Sequence, residues 1–409
     1  MSDKPRPAAA GFIFITIVLD VLGIGLVIPV LPALVTEFAG GDAADAARWF
    51  GPLVSIFAAS QFVFAPVLGA LSDKYGRRPI LLLGLLGYGI SYVITGLAPS
   101  MLWLFVARLF SGGMGGTITT ANAYLADIST PETRAKNFGL VGAAFGLGFV
   151  FGPALGGALG EISTRLPFFV AAGLVGVNLC YGFFVLPESL APDKRRNVSL
   201  GGMNPLSAIA GLRRYPVVAS LAVAYVFVNL AQRGLESVWV LHGTYRYGWG
   251  ELANGLTLTA VGVVAAFNQG YLIRKVVPKL GERRVIRYGM LIWGLAFLGY
   301  GVAGESWMVF VFIPIGSLGG MAFPTLQGVV TGAVAEDEQG TVQGALTALL
   351  SLTSVFAPII STYTFNAFTK NPDLPVVPGA SFFLGAVFVY IAAFITWRTL
   401  DKFEGATAS

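Results

Sequence analysis

Residues 69–79 read Gly69-Ala70-Leu71-Ser72-Asp73-Lys74-Tyr75-Gly76-Arg77-Arg78-Pro79, and they stand between two apolar stretches each long enough to cross a bilayer. Two glycines, an Asp and three cations are packed into a turn too short to be a domain. Such a loop joins the same-side ends of two adjacent membrane helices. Its Lys74, Arg77 and Arg78 mark that side as cytoplasmic by the positive-inside bias. Asp73 is a fixed negative charge where the positive end of a neighbouring helix can bind it.

Composition carries the argument outward. Apolar residues make up 55% of the chain and charged residues 11%, less than half the charged share usual in a soluble domain. A soluble chain of 409 residues this apolar would expose large sticky patches. The sequence therefore reads as a polytopic membrane protein. The first apolar stretch, Gly11 to Val35, is too long for the h-region of a signal peptide, and no small-residue cleavage site follows it. Cys180 is the only cysteine and His242 the only histidine, so no intrachain disulfide forms and a zinc site of His/Cys type is not expected. No metal or cofactor is implied. The net charge of +5 is a topology signal rather than a nucleic-acid one, because the cations gather in loops on one side.

Apolar runs of roughly 18–25 residues are membrane-helix candidates. Twelve are found, near 11–35, 49–71, 79–97, 101–125, 138–160, 166–187, 215–241, 252–273, 286–303, 306–333, 340–365 and 378–400. With the N-terminus inside, Lys74, Arg77, Arg78, Arg134, Lys136, Lys194, Arg195, Arg196, Arg213, Arg214, Arg274, Lys275, Lys279, Arg283, Arg284 and Arg287 fall on cytoplasmic connections. The outer loops hold only Arg48, Arg165, Arg246 and Lys370. An even helix count returns the C-terminus to the cytoplasm. The longest inner connection, from Pro187 to about Arg214, divides the chain into six-helix halves, 1–190 and 215–409, joined by a cytoplasmic linker at 191–214.

The halves repeat at an offset of 205 residues. Lys74, Gly76 and Arg78 match Lys279, Gly281 and Arg283; Gly139 matches Gly344; Val150-Phe151-Gly152-Pro153 matches Val355-Phe356-Ala357-Pro358. Three separate matches at one offset are hard to obtain by chance. The expected fold is all-α, with twelve transmembrane helices in two pseudo-symmetric halves and a substrate site at the midplane between them.

Four charged residues lie well inside the runs: Asp20, Arg108, Arg233 and Glu236. Ionisable groups there are costly, so a functional role is the default reading. Asp20 is about 13 Å from the inner end of helix 1 and Arg108 about 10 Å from the outer end of helix 4 at 1.5 Å per residue. In a core of about 30 Å their depths differ by roughly 6 Å, within reach of an Arg side chain. Such a carboxylate can gain and lose a proton as water access or the Arg distance changes; the plainer alternative is a static ion pair that fixes helix packing. Arg233 and Glu236, three apart on one face of helix 7, read as an outer-vestibule ion pair or a second proton or substrate site. Glu236 is expected close to the outer end of that helix.

Gln61, Asn122, Asn229, Gln232, Asn268, Gln269 and Gln327 also lie in the runs. Some are expected to line a wet cavity and others to tie neighbouring helices; Asn122 and Gln327 match across the repeat. Phe57, Phe62, Phe145, Phe227 and Trp239 offer stacking surface or plain packing. His242 reads as a surface residue near the outer end of helix 7.

Helix 5 contains Gly146-Leu147-Gly148-Phe149-Val150-Phe151-Gly152-Pro153-Ala154-Leu155-Gly156-Gly157. Its small residues admit a neighbouring backbone, and Pro153 removes one helical hydrogen bond, which makes a hinge, a sealing surface or a packing seam. The 69–79 loop resembles the signature loop between helices 2 and 3 of the major facilitator superfamily. The helix 5 stretch is similar to the Gly-Pro pattern that accompanies proton-driven export there. Together with Leu19-Asp20-Val21-Leu22-Gly23-Ile24-Gly25, Pro29, Pro32, Arg108, Gly112, Gly116 and Trp239-Val240-Leu241, they resemble the tetracycline-resistance-like branch of drug:proton antiporters over nearly the whole chain. The resemblance implies Asp20 as a proton-coupling acid with Arg108 as its partner. It implies a cytoplasmic gating relay of Asp73, Arg77 and Asp127 around Gly69, Gly76 and Arg78, and an antiporter motif of Gly148, Gly152, Pro153, Gly156 and Gly157. Where the tetracycline exporters use an acid on helix 3, a histidine on helix 8 and an acid on helix 9, this chain has Ser91, Ala265 and Trp293.

The sequence thus points to an inner-membrane, proton-coupled antiporter that exports an amphipathic small molecule by alternating access, with both termini cytoplasmic. It is expected to act as a monomer whose partners are substrate, protons and lipid, with no nucleic acid. A proton-coupled uptake symporter and a non-transporting sensor on the same fold are the alternatives. An enzyme is disfavoured, since one His, one Cys and no clustered inner-face acids leave little from which to assemble a catalytic site.

Overall fold

The computed structural model describes residues 7–195, 209–335 and 338–407. Arg196 and the middle of the 191–214 connection lie outside the described residues. Twelve helical spans are long and apolar enough to cross a membrane: Ile13–Phe38, Ala43–Tyr75, Arg77–Leu97, Met101–Ile128, Pro131–Ile162 and Leu166–Val185, then Pro216–Tyr247, Glu251–Leu280, Glu282–Val302, Ser306–Gly332, Val342–Lys370 and Ala380–Asp401. They are spans 1 to 12 below. The described residues contain no β-strand.

Several spans outrun their apolar cores. Span 2 is helical to Tyr75, so the charged string 69–79 is not a loop. Gly76 is the one non-helical residue between spans 2 and 3, with φ of 108°, a conformation that glycine adopts without a steric penalty. Gly281 makes the same single-residue turn between spans 8 and 9, with φ of 80°. The internal repeat is visible in the element bounds. Span 3, Arg77–Leu97, and span 9, Glu282–Val302, start and stop at the same 205-residue offset. Span 4 breaks after Gly113 and resumes at Thr117, and span 10 breaks after Gly320 and resumes at Ala322. The break in span 4 falls in Gly112-Gly113-Met114-Gly115-Gly116, where glycine lets backbones touch. A Cβ on Gly112 would run into the Phe57 carbonyl of span 2, and one on Gly116 into Leu68.

The chain forms two compact units. One comprises residues 1–38, 56–203 and 250–259; the other comprises 39–55, 204–249 and 260–409. In the first unit, span 1 packs chiefly on spans 5 and 6, and span 3 on span 6 and both parts of span 4. A buried cluster of Ile13, Ile17, Val21, Leu81, Tyr124, Leu125 and Leu186 holds spans 1, 3 and 4 and the end of span 6 together. In the second unit, span 7 packs on spans 11 and 12, and span 9 on spans 10 and 12.

Candidate functional site

Asp20 sits in mid-span 1 and is only 4% exposed. Its expected partner does not reach it: among the described residues no ion pair joins Asp20 to Arg108. The reason is packing. The first half of span 4 lies against span 3 rather than span 1, and the Arg108 guanidinium stands over the Phe57 ring, 5.7 Å from its centre. Tyr88 and Tyr92 of span 3 are buried and feel the charges of both Asp20 and Arg108. Ser91 donates its hydroxyl to the Ala107 carbonyl at 3.0 Å, fastening span 3 to span 4 one residue before Arg108.

The end of this unit that carries Gly76 holds a dense charge network. Arg77 bonds Asp73 at 2.5 Å, Asp127 at 3.0 Å and the Ser72 hydroxyl at 3.0 Å, so the relay implied by the resemblance is geometrically assembled. Arg78 is not part of it. Its guanidinium donates to the Phe183 carbonyl at 2.5 Å and lies over the Phe183 ring. Gly69 has open space where a Cβ would stand. Sequence reasoning missed Glu188. One carboxylate oxygen accepts the backbone N–H groups of Arg77, Ser189 and Leu190, the other accepts that of Arg78, and a Cβ on Gly76 would meet the same carboxylate. Glu188 therefore caps the start of span 3, where unpaired N–H groups and the helix dipole favour an anion. Ser189 extends the network by donating to Asp127 at 3.0 Å. The available signal was an acid directly after Pro187, in a connection otherwise rich in cations.

The glycines of span 5 divide between two neighbours. A Cβ on Gly148 would strike Val21, one on Gly152 would strike Gly25, and one on Gly156 would strike Leu26, all on span 1. Gly157 instead faces the backbone of Glu251 and Leu252 at the start of span 8, and the Pro153 carbonyl lies against Gly255. Glu161 accepts the Leu252 N–H at 3.2 Å. In the first unit, Gln61 donates to the Gly115 carbonyl at 3.1 Å, so it ties span 2 to span 4. Asn122 is half-buried.

In the second unit, Arg233 and Gln232 both hold Glu236, at 2.8 Å and 2.9 Å. Span 7 is Pro216–Tyr247, so Glu236 stands about 30 Å from its start and about 16 Å from its end at 1.5 Å per residue, further inside the helix than a span ending at position 241 would put it. The Arg233 and Glu236 side chains are 49% and 46% exposed. Asn229 donates to Thr353 and the Leu350 carbonyl and is a tie between spans 7 and 11. Asn268 donates to Ser317 of span 10 at the start of a π-helical turn, Asn268–Leu272, a distortion common at functional positions. Gln269 and Gln327 are exposed.

His242 is not a surface residue. It is 4% exposed, bonded through Nδ1 to the Pro378 carbonyl at 3.1 Å, and enclosed by the rings of Tyr247, Phe365 and Phe382. The extension of span 7 past position 241 is what buries it. Near it, Lys370 pairs with Asp42 at 2.7 Å and Asp45 at 3.1 Å, and Asn366 donates to the Ala44 carbonyl at 2.6 Å. Partial burial acts to raise the Asp42 carboxyl. The bonds from Lys370, Ala44 and Asp45 outweigh it and hold the group below the usual carboxylate range.

Charges inside the spans, broken helices and a repeated single-residue turn are features that a membrane carrier uses. The family model of the Major Facilitator Superfamily matches residues 13–358 and, in a second match, 274–408. The chain belongs to the Major Facilitator Superfamily. This is a transporter family and not one of enzymes, so the chain is a multi-pass membrane protein with a small-molecule substrate. The chain is 39% identical over 371 residues to the class C tetracycline resistance protein of Escherichia coli, covering 90% of this chain and 93% of that one. It is 31% identical over 365 residues to multidrug resistance protein 2 of Bacillus subtilis, covering 86% and 88%. Its fold is similar to that of the human organic anion transporter MFSD10 (TETRAN), with a TM-score of 0.71 at 24% identity, covering 96% of this chain and 100% of that one. A bacterial homolog of the human lysosomal transporter Spinster is similar with a TM-score of 0.77 at 19% identity, covering 98% of each chain.

Proposed function

We propose that this superfamily member is a proton-coupled antiporter that exports an amphipathic small molecule across the inner membrane, acting as a monomer with both termini in the cytoplasm. The observation that carries the reading is Asp20: a carboxyl 4% exposed at mid-span, with no ion-pair partner among the described residues. A buried carboxyl that no cation neutralises can exchange its proton when water or a cation reaches it. Exchange follows if protonation of Asp20 and occupancy by substrate compete. The resistance proteins to which the chain is similar support export as the direction.

In this reading the chain works as two six-helix halves, 1–190 and 215–409, with 191–214 as the linker; the compact units follow these halves except at 39–55 and 250–259, which each belong to the other unit. The network of Asp73, Arg77, Asp127 and Glu188 steadies one end of the alternating-access cycle. Arg233, Gln232 and Glu236 offer substrate both a cation and an anion inside span 7, with Asn122, Gln269 and Gln327 as further polar contacts. Asn229 and Gln61 are given structural roles because their amides are already spent on neighbouring spans.

The substrate class follows from what the lining offers. Ser91 spends its hydroxyl on Ala107, Trp293 is buried, and Ala265 has no polar group. A missing partner for a buried polar ligand group costs about 1–3 kcal/mol. The half-exposed Glu236 beside Arg233 suits a lipophilic cation or a zwitterion better than a metal-chelated anion. Weak or no tetracycline export is therefore expected, together with export of at least one lipophilic cationic dye. The test is purified protein in liposomes with an imposed pH gradient and a panel of dyes and drugs. Asp20→Asn is expected to abolish gradient-driven accumulation while the protein stays folded. Wild-type accumulation by that variant would overturn the coupling role, and strong magnesium-dependent tetracycline exchange would overturn the substrate class.

A further inference from the structure

Two tyrosines near Asp20 and Arg108 carry hydroxyls that packing does not require. Tyr88 and Tyr92 lie one turn apart on span 3, with ring centres 6.3 Å apart and planes 29° apart. They are 7% and 8% exposed. The Tyr92 hydroxyl comes within 3.8 Å of where a Cβ would stand on Gly23, and Gly23 is three residues after Asp20, on the same helical face. The Ser91 to Ala107 bond sets the same stretch of span 3 beside Arg108. Tyr92 thus faces the acid-bearing span on one side and is fastened next to the arginine on the other.

Tyrosine hydroxyls in a protein interior normally find a hydrogen-bond partner, yet neither of these hydroxyls bonds another described residue, and neither is sealed off from open space. Phenylalanine would fill the same space. The hydroxyls are therefore placed for a partner that comes and goes, and the mobile species in this neighbourhood is the proton of Asp20.

We propose that Tyr92 is a relay residue that carries the proton between Asp20 and water on the Arg108 side. This rests on the reading of Asp20 as the coupling acid. The step balances without any other reactant than water. The Tyr92 hydroxyl oxygen accepts the carboxyl proton as its own proton passes to a water molecule. The products are the Asp20 carboxylate, an unchanged tyrosine and a hydronium ion, and the field of Arg108 stabilises the carboxylate. Tyr88 stacks on Tyr92 and holds the ring. Competing charges are remote: spans 4 and 5, which pack on span 1, carry Asp127, Glu132, Arg134, Lys136 and Glu161 only in their terminal turns. Span 6 carries no charged residue and faces span 1 with Tyr181 in the apolar cluster. Tyr124 of span 4 spends its hydroxyl on the Pro187 carbonyl at 2.9 Å.

The test needs no substrate. Infrared difference spectroscopy on the full chain in liposomes follows the carboxyl band of Asp20 after a pH jump, the band being assigned by its loss in Asp20→Asn. Tyr92→Phe keeps the ring and removes the relay, so the band is expected to change at least about a hundredfold more slowly, the low end of what a positioned acid–base group contributes. Replacing Tyr92 by 3-fluorotyrosine, which packs alike but has a more acidic hydroxyl, is expected to shift the rate and its pH dependence, which a packing role would not. Equal rates in wild type, Tyr92→Phe and the fluorotyrosine protein would overturn the relay while leaving Asp20 as the coupling acid. A carboxyl band that never titrates in the wild type would instead overturn the reading of Asp20 itself.

Discussion

Replacing Glu188 by Ala removes a single carboxylate that holds four backbone N–H groups: Arg77 at 2.8 Å, Arg78 at 3.2 Å, Ser189 at 3.0 Å and Leu190 at 3.0 Å. The first two belong to the opening turn of span 3, whose N-cap, Gly76, has no side chain to satisfy them. Loss of an N-terminal acceptor costs about 0.5–2 kcal/mol, and loss of a negative charge at the positive end of a helix adds about 0.3–1 kcal/mol. Glu188 is half-buried, so water takes over part of both terms, and a net cost of about 1–2 kcal/mol is expected. If the network forms at only one end of the transport cycle, that cost shifts the conformational populations by roughly 5–30-fold.

The shift is measurable by spin-label distances between Tyr75 and Phe184, both exposed, alongside thermal unfolding in detergent. Glu188→Ala is expected to broaden the distance distribution and lower the melting temperature. Glu188→Gln keeps an acceptor oxygen but no charge, and is expected to fall between wild type and Ala. Distances and melting temperature equal to wild type in Glu188→Ala would refute the capping argument, and so would a Gln variant more damaged than Ala.

Two further outcomes follow from the same geometry. Asp73→Asn is expected to slow turnover far more than it weakens substrate binding, because Asp73 bonds Arg77 in the last turn of span 2 and is remote from the mid-span residues; a collapse of affinity at unchanged opening rate contradicts this. Lys370→Gln is expected to free Asp42 and Asp45 and loosen the contact of spans 2 and 11, with little loss of overall stability because the pairs are exposed. Because the Asp42 carboxyl lies below its usual range, its stabilising contribution is complete above the unfolded value of about 3.9 and is lost only as pH falls through the lower folded value. A label distance across Asp42 and Lys370 should hold from neutral pH to about 5, and a change near pH 6 would show that another group controls the contact.

Legibility from sequence followed the range of the interaction. The spans and the repeat rest on local pattern, and both are visible in the residues; the grouping of Asp73 and Arg77 with Asp127, 50 residues beyond Arg77, came only from the family resemblance. Span ends were less legible, because helix continues through polar residues once hydrogen bonding is under way. That extension turned the 69–79 string into a one-residue turn at Gly76, buried His242 and put Glu236 about 16 Å from the end of its helix. Depth along the membrane normal suggested that Asp20 and Arg108 meet, but depth says nothing of lateral placement, and the first half of span 4 packs on span 3 rather than on span 1. Glu188 was lost for the opposite reason: its importance comes from backbone N–H groups more than 100 residues earlier in the chain.

The repeat also shows where the two halves differ. Pro153 and Pro358 hold equivalent positions, and each presents its carbonyl to a glycine, Gly255 and Gly51 respectively. Glu161 and Asn366 are likewise equivalent, and each bonds the backbone at the start of span 8 or span 2. One joint is therefore built twice. The faces turned toward spans 1 and 7 are not alike. Span 5 meets span 1 through Gly148, Gly152 and Gly156, a small-residue seam with close backbones. The matching positions on span 11 are Thr353, Ala357 and Ser361; there Thr353 takes the Asn229 amide and Ser361 lies on Gly234. A seam made by glycines can slide with little loss, whereas a seam pinned by a buried amide must break a hydrogen bond to move. Asp20 directly precedes Val21, the first span 1 residue of the glycine seam, and shares the face that Gly23 turns toward Tyr92. A change in its charge therefore acts on the span whose seam with span 5 resists displacement least, and on the proposed reading the proton-driven movement belongs to the half that carries it.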